Sequence, residues 1–600
     1  MTRMRWQVAS PPDAEMRARF PELDPIAVQL LWNRGLRTQE QVDEFLLPDY
    51  GQDVHDPFLL RDMRRACERI WTAFERREKI VVYSDYDADG VTGAAVLVST
   101  LRAAAARFGL DGNALVASYI PHREKEGYGL RIPAVEELCS QGMKLLVTVD
   151  CGISSAAEIA RAKELGVEAI VVDHHHVPEV LPDCLILHPG VPGENYPFKH
   201  LAAVGVAFKF ACGLIRFAAE KGSPFETGFD KWLLDLVAIA TVTDFMPLVG
   251  ENRTLEKYGL VVLNKTRRPG LRKLIELAGL EPGRIDTVSV GYYIGPRINA
   301  ASRMEHAATA FETVMAATDE EAAVLAARLD KLNSDRQRYT ESIMVEANKL
   351  LVGAGDDLVQ VLAGDGWSAG IVGLVAGKLA DRAGRPAFVF GREGDRFVGS
   401  GRGIEGFDMM AGLERAKGYL ARFGGHYGAC GLTIEGEKNY QEFGRSIKDY
   451  AREVLAGRDL RPTLEIDAEL APSQANWELI GWLQKFEPFG EGNAQPRFLM
   501  RGLAITSVDT VGKSGQHLRL GARGDGAREL KLIGFGMAAD ALPVVVPGAR
   551  LDAVVEVSVN EWNGNKSIQL RLVDWCLAGS DKAAAADCAV PRGLDLEPSK

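Results

Sequence analysis

The chain has 600 residues, 46% hydrophobic and 25% charged, which is an ordinary globular composition too long for a single hydrophobic core. Its formal net charge of −12 argues against a protein that coats nucleic acid over its whole surface, although a local basic channel remains compatible with it. The sequence has no long uncharged apolar segment, no signal-peptide pattern and no CxxC pair among its eight cysteines, so we expect a cytoplasmic protein without a membrane span, a zinc ribbon or disulfides.

Residues 1–52 combine short amphipathic helical patterns, such as Asp24–Arg34 and Gln39–Phe45, with proline-containing turns. They contain no cluster of residues with evident chemistry. We therefore expect an N-terminal cap that packs on the domain following it in the sequence.

From residue 53 onward, short apolar strands alternate with helical patterns, which predicts an α/β domain over residues 53–317. Such alternation is typical of a parallel sheet covered by helices on both faces. Ligands of these sheets bind beyond the carboxyl ends of the strands, so reactive side chains are expected there. The predicted strands are Ile80–Ser84, Leu115–Ile120, Leu145–Val149 and Ala169–Val172, and the helices between them are Val91–Phe108, Ile132–Gln141 and Ser155–Leu165.

Acidic and imidazole side chains follow several of these strands. A single Asp after a strand is usually a turn or cap residue. Acidic or imidazole residues at the ends of several strands of one sheet instead predict a common site. Carboxylates this close together repel one another unless a cation neutralises them, and an oxygen-rich site with imidazole suits Mn²⁺ or Mg²⁺. The residues are Asp85, Asp87 and Asp89, then Asp150, then Asp173, His174, His175 and His176, with Asp244 at the end of the apolar segment Leu233–Thr243.

A calcium-binding EF-hand is the main alternative for the first acidic group, because its loop also begins Asp-x-Asp-x-Asp-Gly. The twelfth position of that loop requires a bidentate Glu, and here it is Val96. A helix should also precede the loop, where this chain has a strand. The sequence therefore excludes an EF-hand.

At these positions the sequence resembles the DHH phosphoesterase superfamily, through SDYDADG at 84–90, VTVDCGIS at 147–154 and the Asp173-His174-His175 triplet. Further stretches resemble one branch, the RecJ-type single-strand-specific 5′→3′ DNA exonucleases, in the expected order over residues 15–575. They are IPHREKEGYGL (120–130), LAAVGVAF (201–208), GPRINAASRM (295–304), FGGHYGACGLTI (423–434) and PFGEGN (488–493). The resemblance implies a hydrolase that removes 5′-mononucleotides from single-stranded DNA in repair and recombination.

The resemblance also implies roles for individual residues. His175 would bind metal or contact the scissile phosphate, and Asp173 would orient a histidine. Two divalent ions can orient an attacking water and stabilise the leaving oxygen. The implied catalytic and metal-binding residues are Asp87, Asp89, Asp150, His174 and Asp244, with His175 catalytic and Asp85 adjoining the ligands. The implied substrate contacts are Arg123, Tyr128, Arg297, Asn299, Arg303, Arg402 and His426.

Two further domains are predicted after the first. Residues 318–352 are predicted to form one long connecting helix, with Thr318 and Glu321 as a capping box.

Residues 353–460 resume an α/β pattern and resemble the DHHA1 domain, which holds the 5′ end of the substrate in this family. Its glycine-rich runs permit close approach of a phosphate. Ser368 and Gly403 stand where the family usually has His and Ser.

Residues 461–577 are rich in strands, and Asn563-Gly564 indicates a type I′ hairpin. This region resembles an OB-fold, a β-barrel that binds single strands by stacking and charge. The low-complexity residues 578–600 are predicted to be disordered.

The leading hypothesis is a monomeric exonuclease in which a channel between the two α/β domains admits one DNA strand. A single-strand-binding protein and a helicase are the expected protein partners. One alternative is a DHH phosphoesterase acting on short oligonucleotides or cyclic dinucleotides, although such relatives generally lack the cap and the barrel. Another is an inactive DNA-repair scaffold, which would have lost metal ligands that this chain keeps.

Overall fold

The computed structural model describes residues 4–352, 357–524, 529–562, 564–580 and 587–589. In these residues the strands form a small three-stranded sheet, two five-stranded sheets and a six-stranded sheet, five strands of which close into a barrel. The predicted fold class is therefore confirmed: a parallel-sheet α/β domain, a long helix, a second α/β domain and a β-barrel. Among the same residues, no helix combines the length and apolarity that crossing a bilayer requires.

The N-terminal helices pack on the barrel, so the prediction that residues 1–52 cap the following domain is wrong for most of this segment. Phe20, Leu31 and Phe45 belong to the same apolar core as the barrel strands. The last helix packs on the first α/β domain through Tyr50, and the helix before it touches this domain where Arg253 donates to the Phe45 carbonyl. The elements are β1 (Arg5–Ala9), α1 (Ala14–Arg19), α2 (Pro25–Asn33), α3 (Gln39–Leu46) and α4 (Tyr50–Asp53).

The first α/β domain has a parallel sheet with strand order β3-β2-β4-β5-β6. The chain leaves β2 to form β3 on one side and returns to form β4 on the other. This reversal opens a crevice beyond the carboxyl ends of β2 and β4, where such sheets bind ligands. The elements are α5 (Met63–Glu75), β2 (Lys79–Ser84), α6 (Ala88–Arg107), α7 (Gly112–Leu115), β3 (Val116–Tyr119), α8 (Ile132–Ser140), β4 (Met143–Val149), α9 (Ala156–Glu164), β5 (Glu168–Val172) and β6 (Leu185–Leu187).

A group of helices covers α6 and completes this domain. Helix α11 is buried on all sides, so its sequence has no polar face that would mark it as a helix. Asp244 consequently follows a helix and not a strand. The elements are α10 (Ala203–Glu220), α11 (Leu234–Thr243), α12 (Gly250–Leu263), α13 (Pro269–Leu277), α14 (Thr287–Ser289), a π-helical turn (Val290–Ile294), α15 (Gly295–Met304) and α16 (Ala308–Met315).

The predicted connecting helix is α17 (Asp319–Leu351). The Thr318 hydroxyl accepts from the Glu321 N–H, but the Glu321 carboxylate accepts from Ala317, so only half of the predicted capping box forms. The N-terminal half of α17 buries Leu329 in the first domain, and the C-terminal half buries Ile343 in the second. The helix thus belongs to the cores of both α/β domains.

The second α/β domain has a mixed sheet with strand order β10-β11-β9-β8-β7, in which only β7 and β8 are parallel. The predicted glycine-rich run falls partly on β9, where a Cβ at Gly399 would lie 2.3 Å from the Phe390 ring. The elements are β7 (Gln360–Asp365), α18 (Ala369–Ala383), β8 (Ala387–Glu393), β9 (Arg396–Arg402), α19 (Met409–Arg415), β10 (Arg422–His426), β11 (Ala429–Glu435) and α20 (Glu437–Leu455).

The barrel closes where β14 pairs with β17. Trp562 pairs with Asn565, which leaves a two-residue hairpin connection, of which Asn563 lies outside the described residues. The elements are β12 (Thr463–Ile466), which pairs with β1, then β13 (Ala468–Glu469), α21 (Trp477–Phe486), β14 (Phe498–Val511), β15 (His517–Arg523), β16 (Glu529–Gly534), α22 (Ala538–Ala541), β17 (Arg550–Trp562) and β18 (Asn565–Leu577).

The structure describes only part of the tail that was predicted to be disordered. Residues 587–589 form β19 (Asp587–Ala589), which pairs with β1, so the prediction does not hold for these three residues. Residues 581–586 and 590–600 lie outside the described residues.

Candidate metal centre

Acidic side chains from separate parts of the first domain meet at one imidazole nitrogen. The Nε2 atom of His174, which follows β5, lies 3.3 Å from Asp150 Oδ1, 3.5 Å from Asp244 Oδ2 and 3.7 Å from Asp89 Oδ2. These residues follow β4, end α11 and begin α6, respectively. The crevice beyond the parallel strands is therefore the place where the predicted acids and imidazoles converge.

The site contains three overlapping groups of possible metal ligands. Within each group, one ligand atom from every residue lies within 4.8 Å of the others. Two groups share His174 and two share Asp150, so the arrangement offers ligands for two neighbouring ions. The groups are Asp150, His174 and His175; Asp89, His174 and Asp244; and Asp85, Asp87 and Asp150.

The backbone around α6 fixes two of the carboxylates. Asp87 is the N-cap of α6, and its Oδ1 accepts from the N–H groups of Asp89 and Gly90. The Asp89 carboxylate accepts from the N–H groups of Ala203 and Val204, both at 2.8 Å. These two residues begin α10, whose N-terminal dipole favours a negative charge. The SDYDADG motif therefore also forms the start of α6.

Asp150 has a φ of 60°, in the left-handed region that non-glycine residues seldom adopt. Its own N–H still donates to Val172, so the strand pairing continues up to this residue. The turn that follows is equally tight, because a Cβ at Gly152 would lie 2.5 Å from the Thr148 hydroxyl. Backbone strain of this kind is concentrated at functional sites.

Burial, followed by mutual repulsion, raises the pKa values of four carboxyl groups above their ordinary range. The pKa of Asp89 rises to about 7 and that of Asp244 to about 9, and those of Asp85 and Asp150 are raised as well. Among the described residues, the buried Oδ1 of Asp85 has no hydrogen-bond partner. Unpaired buried carboxylates are costly, and a divalent cation removes that cost. Carboxylate oxygens with imidazole nitrogens fit Mn²⁺ or Mg²⁺.

The neighbouring histidines differ in charge. Burial, together with repulsion from His175, lowers the pKa of His174 to about 3, so this ring is neutral, as a metal ligand must be. Burial also acts to lower the pKa of His175, but the hydrogen bond and charge of Asp173 raise it to about 9. Asp173 Oδ1 lies 2.8 Å from His175 Nδ1, and its Oδ2 accepts from the Ile153 N–H. Asp173 therefore orients His175.

Sequence reasoning missed His188, a buried residue that follows β6. Its Nδ1 accepts from the Gly190 N–H, so its Nε2 carries the hydrogen and donates to the His175 carbonyl at 2.8 Å. The signal was the same as for the other residues, a polar side chain after a strand. It was overlooked because β6 has only three residues, too few to form a recognisable apolar run.

Four arginines meet beside these acids and form what we call the arginine cluster: Arg123, Arg303, Arg336 and Arg402. Burial lowers the pKa of Arg303 to about 9, with further lowering by Arg123 and Arg336, while Asp87 acts in the opposite direction. Burial and the charge of Arg123 also lower the pKa of Arg402. Within the described residues, no member forms an ion pair with a carboxylate. Unpaired, converging guanidinium groups are suited to bind phosphate.

The remaining predicted substrate residues are Tyr128, Arg297, Asn299 and His426, and their surroundings differ. The Tyr128 hydroxyl lies 3.2 Å from His175 Nε2, at the centre. Arg297 instead pairs with Asp330 of α17 at 2.8 Å, and Asn299 accepts from the Ala88 N–H at the start of α6. His426 is exposed on β10, where its Nδ1 accepts from the Gly428 N–H.

Comparisons with known families and proteins agree with this architecture. The chain matches the family models "DHH family, N-terminal domain" over residues 79–241, "DHHA1 domain" over 356–453 and "RecJ OB domain" over 466–574. It is 36% identical over 579 residues to the single-stranded-DNA-specific exonuclease RecJ of Bacillus subtilis, covering 96% of this chain and 71% of that protein. It is 32% identical to the Escherichia coli protein of the same name, covering 92% and 95%.

Solved structures give the same result. The crystal structure of RecJ from Thermus thermophilus in complex with Mn²⁺ aligns with a TM-score of 0.80 and 30% identity, over 96% of this chain and 80% of that one. The Mg²⁺ complex of the same protein aligns with a TM-score of 0.74 and 28% identity, over 96% and 79%.

Proposed function

Because the chain belongs to the RecJ family of single-stranded-DNA-specific exonucleases, we propose that it degrades single-stranded DNA from the 5′ end and releases 5′-mononucleotides. One observation carries this proposal: acids and imidazoles from distant parts of the sequence form three overlapping groups, each within 4.8 Å, beside the arginine cluster. Every residue that the family resemblance implies as a metal ligand is present. An inactive scaffold would have no reason to keep a set of buried, mutually repelling carboxylates.

Two Mn²⁺ or Mg²⁺ ions would be held by Asp85, Asp87, Asp89, Asp150, His174 and Asp244. When bound, such ions activate an attacking water and stabilise negative charge on the phosphoryl and leaving oxygens. The chain itself keeps His174 neutral, and it holds His175 between Asp173 and the His188 hydrogen bond. His175 and Tyr128 are thereby placed to contact the phosphate.

We assign the recognition of the 5′ end to the arginine cluster. Its members come from both α/β domains and from α17, so a bound phosphate would lie between the domains. The charge of Asp87 acts to raise the pKa of Arg303, which places the arginine cluster next to the metal centre. A terminal phosphate held at a fixed place beside the centre would direct cleavage to the adjoining bond. This explains both the release of mononucleotides and the polarity.

We further propose that the protein acts in the cytoplasm as a monomer during DNA repair and recombination. A helicase would supply the single strand, and a single-strand-binding protein would keep it open. The barrel would bind the strand away from the centre, as other OB-folds do by stacking and charge.

The test is a digest of single- and double-stranded DNA labelled at either end, with Mn²⁺ or with a chelator. We expect the 5′ label of the single strand to be released first as a mononucleotide, only with metal. Release from the 3′ end, or faster cleavage of a dinucleotide than of a long strand, would favour the short-oligonucleotide phosphoesterase instead.

Substitutions at the centre test the same proposal. Asp150→Ala and His174→Ala should abolish the digestion while leaving the circular dichroism spectrum unchanged. His176→Ala is the matched control, because His176 is the neighbouring exposed histidine and belongs to none of the ligand groups. Full activity of either centre variant would show that the centre is misassigned.

A further inference from the structure

Helix α11 ends in a residue type that its backbone geometry disfavours. The N–H of Phe245 donates to the Val242 carbonyl and the N–H of Met246 donates to the Thr241 carbonyl. This is the Schellman arrangement, in which the residue after the C-cap adopts a left-handed conformation and is usually Gly or Asn. Phe245 occupies that position with a φ of 54°. A bulky side chain there is strained.

The core of the protein does not explain why a phenylalanine occupies this strained position. The Phe245 side chain is 77% exposed, so it gains little from burial. The residue before it is Asp244, whose carboxylate lies 3.5 Å from His174 Nε2. A residue with a strained backbone and an exposed aromatic side chain therefore directly follows a residue of the metal centre in the sequence. Strain of this kind persists where it serves a function.

A second exposed ring lies on a neighbouring element. The π-helical turn Val290–Ile294 packs against the same end of α11, because a Cβ at Gly291 would lie 3.6 Å from Val242 Cγ1. This turn includes Tyr292, which is 76% exposed. π-helical turns are rare and occur frequently at functional sites.

We propose that Phe245, assisted by Tyr292, stacks on a nucleobase of the DNA strand next to the scissile phosphate. This inference rests on the proposed function and adds a base-binding subsite to it. Stacking suits a nuclease without sequence preference, since every base has an aromatic face. The arginine cluster would hold the phosphate, and the ring would hold the base, so the two contacts together would fix the nucleotide in the centre.

The decisive variant is Phe245→Gly, because glycine adopts the left-handed conformation without strain and removes the ring. Phe245→Trp keeps an aromatic face. The matched control is Arg77→Gly: Arg77 ends α5 in the same Schellman arrangement, also with a φ of 54°, and is exposed. Arg77 precedes β2, so it lies at the edge of the sheet opposite the metal centre.

We expect Phe245→Gly to raise the KM for single-stranded DNA by about 5-fold to 100-fold, the range for loss of one stacked base. Its Mn²⁺ affinity, measured by calorimetry, should be unchanged and its Tm should not fall. Phe245→Trp should retain the wild-type KM. Arg77→Gly should leave the KM and the Mn²⁺ affinity unchanged, and its Tm should likewise not fall, since it relieves the same backbone strain.

Strands with abasic positions at the 5′ end identify the partner of the ring. If Phe245 stacks on a base, abasic strands raise the KM of the wild type but not further that of Phe245→Gly. An unchanged KM in Phe245→Gly, an equal loss on abasic strands, or a fall in Tm and Mn²⁺ affinity would each overturn the stacking site. Failure of the wild-type protein to digest single strands would instead overturn the proposed function.

Discussion

The carboxyl groups of the candidate metal centre destabilise the fold when they are ionised without a cation. The pKa of Asp89 is about 7 and that of Asp244 about 9, both raised above the ordinary value of 3.8 by burial first and by neighbouring acids second. A carboxyl group whose pKa is raised by folding stabilises the fold below its ordinary pKa, and this contribution is lost as the pH rises through the folded value.

We therefore expect the Tm of the chelator-treated protein to fall as the pH rises from about 5 to about 9. Added Mn²⁺ should reverse the fall, because it replaces the protons on these groups. Calorimetry in two buffers of different ionisation enthalpy should accordingly show proton release on Mn²⁺ binding at pH 7. A Tm that is independent of pH without metal, or metal binding without proton release, would contradict the assignment of these acids.

His188 allows a prediction about positioning. His188→Leu removes the hydrogen bond to the His175 carbonyl, and the leucine side chain still fills the buried position. We expect kcat to fall by about 10-fold to 100-fold, as is typical when a supporting residue of a metal site is lost. The KM for DNA should stay near its wild-type value, and His188→Gln should recover part of the activity. If kcat were unchanged, His188 would serve only the packing of β6.

How far individual residues could be predicted depends on where their partners lie. Apart from Asp244, which follows α11, the acids and imidazoles follow apolar strands, so the sequence alone places them at one edge of a sheet. Arg297 and Asn299, whose contact with substrate stays a prediction, form hydrogen bonds with Asp330 and Ala88. Spacing within α15 does not reveal such contacts, since the partners are distant in sequence.

At the scale of elements, the loop Pro488–Asn493 connects the barrel module to the metal centre. Its Glu491 carbonyl accepts from the Leu248 N–H at 2.8 Å, and its Phe489 carbonyl accepts from the Thr287 hydroxyl at 2.6 Å. Leu248 lies four residues after Asp244 in the same loop. The PFGEGN sequence, which the family resemblance left without a role, therefore supports the backbone that carries Asp244.

Arg253 of α12 holds this loop in place. Its buried guanidinium donates to the backbone carbonyls of Phe45, Lys485, Phe486, Glu487 and Pro488. Arg253→Lys keeps the charge but cannot reach these carbonyls with a planar fork, and each buried carbonyl left without a partner costs about 1–3 kcal/mol. We expect a clear drop in Tm and faster hydrogen exchange in residues 244–249 and 488–493.

The control for this prediction is Arg272→Lys, because Arg272 pairs with Asp319 at the protein surface, where an ion pair contributes little. It should leave both the Tm and the exchange pattern unchanged. If Arg253→Lys behaved in the same way, Arg253 would not be what holds the loop.

The type and bounds of an element were predictable where its burial leaves a clear pattern of apolar residues in the sequence. The buried parallel strands β2, β4 and β5 give continuous apolar runs, and the sequence locates them to within two residues. Helix α11 is buried on every side and shows no helical period, so its type was not evident. Strand β1 was missed because its partner β12 lies more than 450 residues later in the sequence.

At the scale of the whole molecule, the two ends of the chain form one unit. Apolar side chains of α1, α2 and α3 share a core with strands of the barrel, and β1 pairs with β12. The order of the domains is evident in the sequence but this association is not, because an apolar helix face does not identify its partner. Deleting residues 461–577 alone to test DNA binding would therefore also expose the N-terminal helices.

This association predicts an unusual order of stability among truncated chains. The fragment 1–460 keeps Phe20, Leu31 and Phe45 without the barrel that buries them, whereas 47–460 removes both partners. Arg253 loses the carbonyls of residues 485–488 in both fragments, and in 47–460 it also loses the Phe45 carbonyl. We expect the exposed apolar faces of the N-terminal helices in 1–460 to outweigh that one contact. We expect 47–460 to have the higher Tm and less aggregation, to retain Mn²⁺-dependent digestion of short strands, and to bind long strands more weakly than the full chain. If 1–460 were the more stable fragment, the N-terminal helices would be stabilised by the catalytic domain after all.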